Sequence, residues 1–322
     1  MNNENDLPAA SRRTARWTRA VVACAFGLGS LCASAPVFAE PLRVVATVPT
    51  LAALAQEVAG PYAEVTALAS PRQDPHFVDA RPDFVLRLNR AHLVVVQGLD
   101  LEAGWLPALL LQARNAQVLR GAAGHFDASR SVTAMQVPRA AADRSQGDVH
   151  AGGNPHYLYD PRNGALVATA LGSALGRLDP AHAAAFQANA QALAARLGEF
   201  ATVQAARFGQ LPTDRRAVIT YHDSWPYLLR WLGLHQVATL EPRPGIAPDP
   251  AHVAGVLRTA KADAVRALLQ EEYYPAATAR TVADLAKARL VVAAGGVRFD
   301  THQTYAKWLQ GLTDDLHGAL KP

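Results

Sequence analysis

"LRVVATVPTLAALAQEVAGPYAEVTALA", residues 42 to 69, holds the pattern from which the fold is read. A β-branched run at 42–48 passes into "TLAALAQEVAG", where apolar residues recur at three- and four-residue steps, as in an amphipathic helix. A second short run follows at 63–69, so the stretch reads strand, helix, strand. The alternation continues through "RPDFVLRLNRA" (81–91), "HLVVVQG" (92–98) and "AQVLR" (116–120). It resumes with "RAVITY" (216–221), "HQVATL" (235–240), "DAVRALLQ" (263–270) and "ARLVVAA" (288–294). Two successive β-α series predict an α/β fold of two lobes, each a mostly parallel sheet flanked by helices.

Between the series lies an alanine-dominated stretch, 179–211, opened by Asp179 and Pro180 as an N-cap and first helical residue. About thirty residues at ~1.5 Å each make a rod of roughly 45 Å, too long to cover one strand of a small sheet. A long rigid helix joining the lobes is therefore expected; the competing reading is two helices broken near Gly198. The implied organisation is a first lobe at 40–178, a linker helix at 179–211 and a second lobe at 212–322. Residues 121–152 lack hydrophobic periodicity and read as a long surface loop, which at that length is usually functional or mobile.

The chain has 322 residues, half of them hydrophobic, with ordinary glycine and proline fractions, which excludes fibrous and broadly disordered classes. Net charge is +4, and Arg12, Arg13, Arg16 and Arg19 against Glu4 and Asp6 supply +2 of it. The remainder is nearly balanced and has no basic-aromatic stripe, so nucleic acid is not an expected partner. Residues 1–39 read as a cleaved signal peptide: a basic start, an apolar stretch from Ala20, and "VFA" before Glu40. An uncleaved anchor is the alternative, though Gly27, Gly29, Ser30, Ser34 and Pro36 dilute the apolar run. Cleavage would remove Cys24 and Cys32, leaving an exported protein with no thiol for disulfides, metal or nucleophilic chemistry.

Of eleven histidines, three stand out by position. His76 in "DPHF" and His156 in "GNPHYLYDP" each follow a proline, which stiffens the loop. His222 in "TYHDSW" directly follows a predicted strand. Open α/β sheets bind ligands beyond the carboxyl ends of their strands, so a site using all three would lie in a cleft between lobes. Neutral imidazole is the commonest metal ligand, and without thiolates the donors must be nitrogen and oxygen. Closed tetrahedral coordination needs a fourth donor. Glu271 in "LLQEEYYP" is the favoured carboxylate, with Glu272, Asp300 and water as competitors. Asp74, Asn154 and Asp223 are candidates to orient the imidazoles, and Trp225 and Tyr157 to exclude water.

These segments resemble the periplasmic zinc- and manganese-type solute-binding proteins of ABC importers. "DPHFVDARPDFVLRLNRAHLVVVQGLDLEAGWL", "GNPHYLYDP" and "YHDSWPYLLRWLGL" are similar to that family's three metal-histidine segments. "LEPRPGIAPDPAHVAGVL" and "LLQEEYYP" are similar to its later ones. The resemblance implies two lobes joined by a rigid helix, a metal between them held by His76, His156 and His222, and docking on a membrane permease. Many members supply an aspartate after the last strand of the second lobe, but "VVAAGGVRF" has no carboxylate before Asp300. Glu271 stands in for it. His150, in the loop before the second metal histidine, either collects metal, reaches the site, or is simply solvated. Three histidines and a carboxylate favour Zn2+ over Mn2+, with Fe2+ a further possibility. The expected protein is a monomeric periplasmic metal carrier and not an enzyme. The competing readings are a secreted zinc hydrolase, against which the absence of an H-E-x-x-H helix counts, and an adhesin on the same scaffold.

Overall fold

The computed structural model describes residues 40–138 and 147–321. The segment read as a signal peptide lies outside the described residues. Among those described, no helix is long and apolar enough to cross a membrane.

The first half runs β1 (Leu42–Ala46), α1 (Pro49–Ala59), β2 (Ala63–Ala67), α2 (Pro82–Arg90), β3 (Leu93–Val96), α3 (Leu106–Ala113) and β4 (His125–Asp127). Two helices follow, α4 (Pro161–Leu178) and α5 (Ala183–Gly209). The second half runs β5 (Ala217–Thr220), α6 (Pro226–Leu232), β6 (His235–Thr239), α7 (Pro250–Ala262), β7 (Ala267–Glu271), α8 (Ala276–Ala286), β8 (Arg289–Ala293) and α9 (Tyr305–Leu320). Pro49, Pro82, Pro161, Pro226 and Pro250 each stand first in their helix, where the missing N–H costs nothing. The two sheets are ordered β2-β1-β3-β4 and β6-β5-β7-β8, and every pairing is parallel. The same order occurs twice. In each sheet the winding reverses between the first and third strands, which leaves a crevice at the carboxyl ends.

The fourth strand differs from the expectation. Residues Ala116–Val118 of "AQVLR" form a single 3-10 turn, capped where Asn115 Oδ1 accepts from Gln117 N at 3.1 Å. The edge strand is instead β4, inside the stretch read as loop. At three residues it is too short to show alternation, and parallel pairing to β3 defines it.

The helix after Asp179 also starts later than its cap signal suggests. Asp179 Oδ2 pairs with His182 Nδ1 at 2.6 Å, residues Pro180–His182 form a 3-10 turn, and α5 begins at Ala183. It then runs 27 residues without a break at Gly198. Its N-terminal part packs on the first lobe, where Asn189 Nδ2 donates to the Val58 carbonyl at 3.1 Å. Its C-terminal part packs on the second: Trp231 Nε1 donates to the Ala201 carbonyl at 3.0 Å, and Gln204 Nε2 to Gln310 Oε1 at 3.2 Å. It is not a bare rod, because α4 lies along it. A Cβ on Gly172 would stand 2.8 Å from Ala190 Cβ and 3.1 Å from the Phe186 carbonyl, so glycine permits that approach. The largest buried cluster draws on both halves, from Leu51 and Leu54 through Tyr157, Phe186 and Leu197 to Trp225, Leu269 and Trp308.

Candidate metal centre

The carboxyl ends of both sheets carry the polar residues that the folding pattern buries. His76 lies in the loop after β2, Gln97 directly after β3, His222 two residues after β5, Glu241 two residues after β6, and Glu271 ends β7. His156 follows Pro155 and precedes a 3-10 turn, Tyr157–Tyr159, which leads to Asp160, the N-cap of α4.

His76, His156 and His222 come together. One nitrogen from each lies within 4.8 Å of the other two, and all three residues are buried. The ring centroids are 5.3 Å apart for His76 and His156, 5.5 Å for His76 and His222, and 5.6 Å for His156 and His222. Three imidazoles drawn from both halves at this separation can hold a metal ion.

Each imidazole is oriented. His76 Nδ1 pairs with Asp74 Oδ1 at 2.7 Å, and the same oxygen accepts from His76 N at 3.0 Å. His222 Nδ1 pairs with Glu241 Oε2 at 2.7 Å. Both pairings leave Nε2 for another partner. His156 Nε2 is fully buried without a hydrogen-bond partner, an expensive arrangement unless something else is to be bound there. The electrostatics differ among the three. Burial, then the neighbouring imidazoles, push His156 well below the usual histidine range, so it stays neutral. Burial also acts against charge on His222, but the Glu241 carboxylate outweighs it and raises the pKa. Asp74 is lowered: its burial is more than offset by the His76 hydrogen bond and charge.

The loops under the two Pro-His dipeptides are tied to one segment of the first lobe. Gln97 Nε2 donates to the Pro155 carbonyl at 2.7 Å, and Trp105 Nε1 to the Pro75 carbonyl at 3.0 Å. Tyr157 Oη donates to the Gln97 carbonyl at 2.7 Å. Glu102 holds that segment from inside. Its carboxylate accepts from Thr47 Oγ1 at 2.6 Å, Gln97 N at 2.6 Å and Gly98 N at 3.1 Å.

A comparison of this chain with known families gives the context for three converging histidines. Residues 44–319 match the family model described as zinc-uptake complex component A, periplasmic. The chain belongs to this family. Relatives of the zinc-uptake component A family named for metal transport include SloC of Streptococcus mutans, a metal ABC transporter substrate-binding lipoprotein, 24% identical over 199 residues. That alignment spans 61% of either chain. PsaA of Streptococcus pneumoniae, a manganese ABC transporter substrate-binding lipoprotein, is 22% identical and aligns over 92% of this chain and 94% of its own. The crystal structure of ZnuA shares the fold, with a TM-score of 0.73 at 21% identity, over 88% of this chain and all of the other. Membership places the chain among divalent-metal-binding components of ABC import.

Within this family fold, the other residues named from the sequence have separate fates. Glu271 is fully buried, its Oε2 lacks a hydrogen-bond partner, and Tyr159 Oη stands 3.5 Å from Oε1. It is not a member of the three-histidine cluster. Burial pushes its carboxyl up to about 7. Glu272 instead pairs with Arg298 at 2.8 Å, and Asp300 is exposed on the 3-10 turn Phe299–Thr301. Asn154 Oδ1 accepts from His156 N at 3.0 Å, which fixes the backbone and not the ring. Asp223 receives Gln136 Nε2 at 2.9 Å. Trp225 and Tyr157 are fully buried packing residues. Glu241 is the residue that sequence reasoning passes over. Its signal lies in "LEPRPG": the only carboxylate just past the end of β6, at the same end of the sheet as His222.

Proposed function

We propose that this chain captures a divalent transition metal, Zn2+ foremost, in the periplasm and delivers it to the membrane permease of an ABC importer. His76, His156 and His222 are the metal ligands, each through Nε2. The observation that carries this is the buried His156 Nε2 without a partner, set among two imidazoles whose Nδ1 atoms are already engaged. A nitrogen-rich donor set suits zinc, while manganese takes more oxygen. Copper would bind more tightly on affinity alone, so supply and geometry decide between them.

The chain's own residues account for capture. Depressed basicity keeps His156 free of a competing proton. The Asp74 and Glu241 carboxylates hold their histidines in the tautomer that presents Nε2 and make that nitrogen more basic. Two ligands come from the first lobe and His222 from the second, so the bound ion would tie the lobes at 40–178 and 212–322 across the 179–211 segment. Export by a cleaved signal peptide, and action as a monomer, complete the reading.

Titration calorimetry of the chelator-stripped protein with zinc, manganese and iron tests it. Zinc is expected to bind tightest of the three, and His156→Ala to lose most of that affinity with its circular dichroism unchanged. Full zinc affinity in His156→Ala would overturn the site.

A further inference from the structure

A fourth imidazole stands beside His76. His150 Nε2 stands 3.3 Å from His76 Nε2, and their ring centroids are 5.3 Å apart, as close as His76 is to His156. A tetrahedral zinc with Zn–N bonds of ~2.0–2.1 Å has an edge of about 3.3–3.4 Å between any two ligand nitrogens. The pair is therefore spaced as two ligands of one ion. The same separation admits an N–H···N hydrogen bond between the two rings.

The backbone that carries His150 is seated on the other lobe. Asp148 N donates to the Pro244 carbonyl at 2.9 Å. The approach is close enough to require glycine on both sides. A Cβ on Gly147 would stand 2.2 Å from the Pro244 carbonyl, and one on Gly245 would stand 2.3 Å from Asp148 Oδ2. Both glycines adopt positive φ, +100° and +76°. Gly245 N in turn donates to Glu241 Oε2 at 2.9 Å, the same oxygen that pairs with His222 Nδ1. The turn receiving the His150 segment is thus fixed by the residue that orients a metal ligand.

Two cavities adjoin this segment. One of about 650 Å³ is lined by His76, Phe77, Asp100 and Ile246. The other, of about 290 Å³, is lined by His156, His222 and Asn154. Asp148 and His150 line both.

Resting on the three-histidine reading, we propose that His150 is the fourth ligand of the zinc ion, supplied by a strap, residues 147–150, that crosses from the first lobe and latches onto Pro244–Gly245 of the second. Glu271 then stays a buried carboxyl behind the site. Because His150 lies outside the tight three-histidine cluster, it reaches the ion from the His76 edge, and its side chain completes the tetrahedron by closing on that corner.

The test uses the full mature chain loaded with zinc, in wild type, His150→Ala, Glu271→Gln and His156→Ala. Calorimetry gives affinity, and X-ray absorption at the zinc edge counts imidazoles. Four imidazoles are expected in wild type and three plus one oxygen in His150→Ala. Zinc affinity of that variant should fall by at least about tenfold, the lower edge of what losing a ligand-supporting group costs. Glu271→Gln should keep four imidazoles and wild-type affinity. An unchanged imidazole count and affinity in His150→Ala, with His156→Ala defective, would overturn the fourth ligand alone. Loss of affinity in Glu271→Gln with three imidazoles in wild type would assign the position to Glu271. Intact affinity in His156→Ala would instead remove the three-histidine site on which the proposal stands.

Discussion

Glu241 Oε2 lies 2.7 Å from His222 Nδ1, although the two residues follow different strands of the second sheet. Strand order explains the meeting: β5 and β6 are parallel neighbours, so the residues just past their carboxyl ends emerge side by side. Burying an imidazole beside a buried carboxylate fixes its tautomer and its direction at once. Glu241 Oε2 also accepts from Gly245 N, so one oxygen sets both the ring and the turn beyond it.

Glu241→Gln should therefore weaken zinc binding by about 10- to 100-fold, the usual cost of losing a ligand's hydrogen-bonded carboxylate. The side chain keeps its shape, so the thermal midpoint of the metal-free protein should change little by comparison. Calorimetry and scanning calorimetry on the same preparation separate the two effects. Equal zinc affinity in the variant and wild type would show that His222 needs no orienting carboxylate.

Glu102 leads to a prediction about pH. Burial raises its carboxyl from the ordinary 4.5 to about 7, even though the donors to the carboxylate work against the rise. In the unfolded chain the group loses its proton near 4.5, and in the folded chain only near 7. Its contribution to stability is therefore complete below 4.5 and lost as pH climbs through that window. The loss is on the order of 3 kcal/mol by pH 8. Glu102→Gln does not titrate, so its stability relative to wild type should improve as pH rises from 4 to 8. Urea denaturation of the metal-free proteins at several pH values reads this difference directly. Glu271, raised in the same direction, is present in both proteins and cancels. A difference that stays flat across the range would mean Glu102 is not buried as a titrating acid.

Much of this fold was legible because the signals were local. Strands β1, β2, β3, β5, β6, β7 and β8 overlap the short apolar runs read as strands, and α1 and α2 overlap amphipathic periods. Strand β4 was not, since three residues carry no periodicity and only pairing with β3 creates it. The cap pattern places the start of the helix at Pro180, whereas the Asp179 carboxylate pairs with His182 and α5 begins at Ala183. At the site, proline and strand-end position singled out His76, His156 and His222, which the fold brings together. Glu241 escapes because its role depends on which strand lies beside β5, and the sequence leaves His150 between collecting metal, reaching the site and being solvated because its place depends on where a long loop crosses. Both facts are tertiary.

The unbroken course of α5 allows a test of the inter-lobe helix. Gly198 sits in its interior, and a Cβ there would meet nothing within 4 Å. Gly198→Ala should stabilise the protein by up to about 1 kcal/mol, through helix propensity alone. Zinc affinity should not change. A lowered thermal midpoint would indicate that the helix bends at Gly198.

The carbonyls of the two Pro-His dipeptides make the last prediction. Pro155 and Pro75 cannot donate from their own nitrogens, so their carbonyls are what remains to fix them, and both are held from the 97–105 segment. Gln97→Met removes the Nε2 donor and leaves the Pro155 carbonyl buried without its partner, at a cost of about 1–3 kcal/mol. Trp105→Phe removes the Nε1 donor to Pro75 and, because Trp105 is buried, also leaves a void in the core, so its cost is at least as large. Neither residue is proposed as a metal ligand, so the zinc-edge absorption spectrum should keep the wild-type imidazole count. Each freed loop samples more positions before the ion binds, and zinc affinity should fall several-fold through entropy. The loss in Gln97→Met acts on His156 and that in Trp105→Phe on His76, so the double variant should lose roughly the product of the two. If both variants are destabilised yet bind zinc as tightly as wild type, the stiffness of the Pro-His loops comes from proline alone and the segment beneath them is purely structural.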